Sequence, residues 1–176
     1  MPSRLLLVAI GSVPRPVVAE LTAALGRLCS AAIVPASGQP RPAYAFNKDR
    51  NQYHAAAILR RLSTLRAGAA QTAVLGITDV DLFVPDAPFV FGEADRDAQA
   101  AVLSLSRLTH EADGKPAAPA RLRRRATAEA MHEVGLLLGL SACQDPRCAM
   151  YPCERPADVD RKGEALCGSC RAALGL

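Results

Sequence analysis

Two rhythms of apolar residues alternate along this chain. Residues 4–10 (Arg-Leu-Leu-Leu-Val-Ala-Ile) form an almost unbroken apolar run, as in a strand buried on both faces. In residues 14–28, Val17, Val18, Leu21, Leu25 and Leu28 recur at helical spacing, with prolines at the start and Gly26 near the end. Residues 31–34 read as a second strand, and the Pro/Gly-rich residues 35–42 as a loop. Residues 44–50 fit an edge strand or a loop. Ile58, Leu59, Leu62 and Leu65 mark a helix over 53–66, with Gly68 near its stop. Residues 72–78 read as a third buried strand, 79–88 as a loop, and 89–92 as a short strand. Residues 98–105 are strand-like, although their alanines and leucines also suit a helix. The polar residues 109–119 read as a linker into a long helix at 120–139. This β-α-β-α-β order implies an α/β layer with a mostly parallel sheet.

A chain of 176 residues, half of them apolar and with a net charge of +4, is long enough for one compact soluble domain and a small appendage. The basic balance suits nucleic acid or acidic partners but does not select them. No stretch approaches the roughly 20 apolar residues of a membrane span, and residues 5–10 are too short for a secretory leader. The expectation is a cytoplasmic protein with no membrane association. In that compartment clustered cysteines point to metal before disulfide. Cys143, Cys148, Cys167 and Cys170 form two such pairs, C-x4-C and C-x2-C, and can complete a tetrahedral zinc shell. The tail around them is poor in apolar residues and needs such a staple. Cys153 is a possible substitute ligand, and Cys29, at the end of an apolar helix, reads as core.

The long helix ends in His132-Glu133-Val134-Gly135-Leu136-Leu137-Leu138-Gly139 and is followed by Leu140-Ser141-Ala142-Cys143. Zinc peptidases of the H-E-x-x-H type place two histidines one turn apart, with the Glu to activate water. An added G-x-x-H breaks the helix and returns a third histidine. From His132 to Cys170 the chain resembles the archaemetzincin family, whose pattern is H-E-x-x-H-x-x-G-x-x-H-C-x4-C-x-M-x17-C-x-x-C. Residues 51–54, 75–83, 89–94 and 105–108 resemble it too. One spacing departs: sixteen residues, not seventeen, separate Met150 from Cys167. The resemblance implies an α/β (α+β) fold: a metzincin-like mixed twisted sheet with packed helices, then a small zinc-stapled C-terminal part. The expected subdomains are 1–139 and 140–176.

Two of the three catalytic ligand positions are lost, since Leu136 and Ala142 stand where histidines belong. His132 is left as a remnant ligand and Glu133 as a remnant general base without a metal-bound water to deprotonate. Leu136 makes the pocket more apolar, so the pKa of Glu133 should rise. The expectation is a non-catalytic homologue that keeps one structural zinc and lacks the catalytic one. Alternatives are an active metallopeptidase with replacement ligands, with His110 or Asp145 as candidates, and a zinc-stabilised nucleic-acid or partner-binding module. Arg121, Arg123, Arg124 and Arg125 favour the last, but read more simply as a solvated helical face, opposing the helix dipole by roughly a few tenths of a kcal/mol each. Aromatic stacking partners are scarce, which makes nucleic acid a poor fit. His54 reads as a structural or exposed residue of its helix. Met150 matches the Met-turn beneath the metal in metzincins, a packing role. Phe89, Val90, Phe91 and Gly92 are the candidate strand edge for a peptide or protein partner in the cleft.

Overall fold

The computed structural model describes residues 2–28, 31–66 and 71–176, so Cys29 and Gly68 lie outside the described residues. Its centre is a five-stranded sheet ordered β2-β1-β5-β8-β7. These strands are β1 (Arg4–Ile10), β2 (Ala32–Pro35), β5 (Thr72–Thr78), β7 (Gly92–Asp95) and β8 (Ala100–Ser104). All neighbours are parallel except β7, which runs antiparallel to β8 and forms one edge. A small second sheet joins β3 (Phe46–Asn47), β4 (Gln52–His54) and β6 (Leu82–Phe83).

The strands carry apolar residues on both faces because helices cover both faces. Leu5, Leu7, Leu75, Ile77, Ala101 and Leu103 pack in one core cluster with Leu21 and Leu25 of α1 (Arg15–Leu28) and Ala126 to Leu137 of α3 (Pro119–Leu137). Val8, Ile10, Val74 and Val102 point the other way, toward Ile58, Leu59 and Leu62 of α2 (Ala55–Ser63). The alternation follows from the two-residue period of a strand.

Several elements differ from the sequence reading. The helix predicted from residue 53 begins at Ala55, because Tyr53 and His54 are held in β4 by parallel pairing to Leu82 and Phe83. His54 is thus a strand residue stacked on the Phe83 ring at 5.1 Å. The supposed loop 79–88 contains β6. Of residues 98–105, Ala100–Ser104 form strand β8, buried throughout, while 98 and 99 belong to the turn before it. The short strand predicted at 89–92 starts only at Gly92, and upstream of it Val90 makes a single bridge to Leu82.

The arginine cluster is only in part a solvated face: Arg121 is half exposed, whereas Arg125 is buried. Arg125 is 2% exposed and grips Asp160 with two hydrogen bonds, of 2.8 and 2.7 Å. Three more, each 2.9 Å, reach Glu111 and the carbonyls of Leu108 and His110. Arg124 donates to the carbonyl of Lys162 at 2.8 Å, and Arg121 pairs with Glu111 at 3.2 Å. These side chains fasten the segment before α3 and the helix α4 (Pro156–Arg161) onto α3. Nor is the tail short of core. Cys148, Ala149, Met150, Val159 and Leu166 join the same apolar cluster as the sheet, so packing is continuous across residue 139.

Candidate active-site cleft and cysteine cluster

Helix α3 stops where a glycine must. Gly139 has φ +97°, its N–H bonds the carbonyl of Leu136 at 3.0 Å, and the N–H of Leu140 bonds that of Gly135 at 2.9 Å. This pair of bonds closes the helix and turns the chain back beneath it. On the return, the N–H of Cys143 bonds the carbonyl of Met150 at 2.9 Å, and fully buried Met150 packs against Gly135.

The turn brings four sulfurs together. Cys143, Cys148, Cys167 and Cys170 place their Sγ atoms within 4.8 Å of one another. The Cys143–Cys167 and Cys148–Cys170 pairs are 3.8 and 3.7 Å apart. A tetrahedral zinc with bonds of about 2.3 Å sets its sulfurs about 3.8 Å apart, so this donor set fits zinc. Backbone N–H groups of Asp145, Met150 and Cys167 point at the Cys143 and Cys148 sulfurs at 3.3–3.5 Å, the surroundings thiolates need. The N–H of Cys170 helps hold the Cys167 thiol down, to about 7. Burial and then the neighbouring thiols push Cys170 up. Four thiols this close cannot all ionise until a cation arrives. Cys153 stands apart, its thiol raised by burial to about 11.

Beside the cysteines a cleft of about 590 Å³ opens between the chain entering β7 and the face of α3. Phe89, Val90, Phe91 and Gly92 line one side, His132, Glu133 and Glu129 the floor, and residues 152–155 the other side. The structure thus gathers His132, Glu133 and the predicted edge residues in one place. His132 donates its Nδ1–H to the Ala149 carbonyl at 3.1 Å, leaving Nε2 as the acceptor. Burial, then the charge of Lys162, lowers its pKa and keeps the ring neutral.

Glu133 is 3% exposed, and its Oε2 has no hydrogen-bond partner. Burial first, then the charges of Glu129 and Glu93, holds its carboxyl well above the usual carboxylate range. A Cβ at Gly92 would lie 2.5 Å from Glu133 Oε1 and 2.7 Å from the Val102 carbonyl, so β7 can pass the carboxylate only as glycine there.

Lys162 and Glu129 were missed by the sequence reading. They are 1% and 3% exposed, and Nζ lies 2.7 Å from Glu129 Oε1. That oxygen is otherwise unpartnered, so this is a close charge contact rather than an aligned hydrogen bond. Nζ also approaches the Tyr151 carbonyl at 3.3 Å. A lone lysine in a tail carries no local signal of a buried partner, whereas Glu129 sits one turn before His132 and Glu133, on their face of the helix.

The replacement ligands do not assemble. His110 is exposed and bonded to Thr109 at 2.9 Å, and Asp145 caps its own turn through the Arg147 N–H. Leu136 packs on the core and Ala142 is exposed. Among the described residues, the four cysteines are the only group of three or more potential ligand side chains with clustered donor atoms. Leu136 and Ala142 thus offer no ligand atom to a metal in the cleft.

A long helix whose glycine stop leads into a Met-containing return, flanked by an edge strand and a cysteine cluster, defines a metzincin-type metallopeptidase scaffold. The description Peptidase family M54 matches residues 36–175, and the chain belongs to that family, the archaemetzincins. It is 40% identical to the Methanocaldococcus jannaschii archaemetzincin over 133 residues, 76% of this chain and 72% of the relative. With the Halobacterium salinarum archaemetzincin it shares 34% over 171 residues, covering 96% and 97% of the two chains. The crystal structure of a zinc-dependent peptidase from Methanocorpusculum labreanum superposes with TM-score 0.84 at 32% identity, covering 97% of this chain and 99% of that one. The Archaeoglobus fulgidus archaemetzincin, complexed with malonate, gives 0.80 at 30%, covering 96% and 98%.

Proposed function

We propose that this chain is a non-catalytic archaemetzincin whose Cys143, Cys148, Cys167 and Cys170 hold one structural zinc and whose cleft binds a ligand without hydrolysing it. The observation that carries the reading is the pair Leu136 and Ala142: one aliphatic side chain packed on the core and one exposed methyl group, where the family places imidazoles. Zinc at the cysteines supplies a charge-compensated tetrahedral staple for residues 140–176. In the cleft, neutral His132 and buried Glu133 remain, and no water-activating metal completes them. The natural occupant is a peptide or protein segment lying along the β7 edge near Phe89, Val90, Phe91 and Gly92. Thiol ligands of this kind suit a reducing, cytoplasmic compartment. No helix among the described residues is long and apolar enough to cross a membrane.

Elemental analysis of protein purified without added zinc tests this. One zinc per chain is expected, rising to two in the Leu136→His/Ala142→His variant. Peptide hydrolysis should be absent in the unmodified chain. Two zincs in the unmodified chain, or metal-dependent hydrolysis by it, would overturn the reading.

A further inference from the structure

The cleft is acidic on a chain whose net charge is +4. Asp86 and Glu154 are exposed at its lining, and Glu133 is buried in its floor. The cations around it are already engaged: Lys162 by Glu129 at 2.7 Å, Arg155 by Asp158 at 3.3 Å, and Arg107, which lies over the Phe89 ring, by Asp81 at 2.7 Å. Among the described residues none of Asp86, Glu133 and Glu154 has an ion-pair partner within 4.0 Å. Glu133 Oε2 is also buried without any hydrogen bond, an unfavourable state for any polar atom and more so for a charged one. A buried polar group in that condition calls for an explanation, and a donor brought by a ligand is one. Phe89 and Phe91, packed edge to face at 5.3 Å, and Pro152 give the cleft apolar walls beside it.

We propose that the cleft is a receptor for a primary alkylammonium group, with Glu133 Oε2 contacting the cationic head, Asp86 and Glu154 attracting it at the mouth, and the phenyl and proline walls holding its methylene stem. This rests on the reading that no catalytic zinc occupies the cleft, since a zinc would supply the positive charge itself. A compact ammonium brings three N–H donors, so it can meet Oε2 and still keep bonds to water or to the peptide backbone. A methylene stem against aromatic and proline walls adds to affinity with every CH₂ removed from water. The chemistry is common to a lysine side chain on a peptide and to a free alkyl diamine.

The test is calorimetric titration of the zinc-counted protein with n-butylammonium, and with butyramide as an uncharged isostere. Saturable binding of the ammonium, at least tenfold tighter than the amide, is expected. Glu133→Gln should weaken it at least tenfold, and Asp86→Asn, an exposed substitution that leaves folding intact, severalfold with a shallower salt dependence. Binding of butyramide as tight as that of the ammonium, or unchanged ammonium binding in a folded Glu133→Gln, would overturn the assignment. So would no saturable binding in samples carrying one zinc per chain. Samples carrying two zincs would instead overturn the zinc-free cleft on which it rests. If the assignment holds, acetyl-lysine-methylamide and cadaverine separate the sources: the tighter ligand identifies a peptide side chain or a free diamine.

Discussion

Arg125→Ala is the sharpest test of how the tail is held. The substitution removes five hydrogen bonds from a residue 2% exposed, leaves two carbonyls without their donor, and leaves Asp160 and Glu111 with half-exposed Arg121 as their remaining ion-pair partner. Deleting one partner of a buried ion pair costs about 3–5 kcal/mol, because the other is left uncompensated. Asp160 and Glu111 each keep 27% of their side chains in solvent and can rehydrate once freed, so the lower end applies. A loss of about 3 kcal/mol corresponds to a melting point lower by roughly 6–12 °C in a domain of this size. Urea denaturation of zinc-replete protein measures it through the shift in midpoint at constant slope. Arg125→Lys should recover little, since an ammonium cannot reproduce the two-pronged grip on Asp160. A loss below about 1 kcal/mol for the alanine variant would refute the inference that this guanidinium is a structural clamp.

The same contact has a pH signature. Arg125, first by hydrogen bonding and then by charge, holds Asp160 below the usual carboxylate range. A depressed folded-state pKa gives stability that is present above the unfolded value, near 3.9, and is lost as pH falls through the folded one. The gap between wild type and Arg125→Ala should therefore narrow below about pH 4 in paired urea titrations, where acid release of metal affects both proteins alike. Stripping the metal with a chelator should lower the melting temperature and unfold the tail first, seen as faster proteolysis within residues 140–176; an unchanged melt after confirmed zinc loss would contradict the staple. Gly135→Ala would drive a Cβ into the Met150 sulfur and should cost about 1–3 kcal/mol. In a double-mutant cycle with Met150→Ala, the two losses should fall short of adding.

The sheet was legible because its signal is local: apolar runs and their flanking turns sit within a few residues of one another. The cysteine cluster was legible because its spacing is itself the chemistry. The arginines misled because their partners lie 14 and 35 residues away, and helical spacing cannot show that Asp160 and Glu111 arrive at one guanidinium. The start of α2 was misplaced for a related reason. Tyr53 and His54 have a helical neighbour in sequence, but pairing with Leu82 and Phe83 across space decides their backbone. Lys162 and the approach of Glu133 to Gly92 were invisible, since each depends on segments meeting only in the folded state.

The segment that carries Cys148 runs directly into residues 152–155, which form one side of the cleft, and on to Lys162, which neutralises Glu129 in its floor. Cysteine cluster and cleft are thus built from one stretch of chain, so a tail that lost its shape at the cysteines would take one side of the cleft with it.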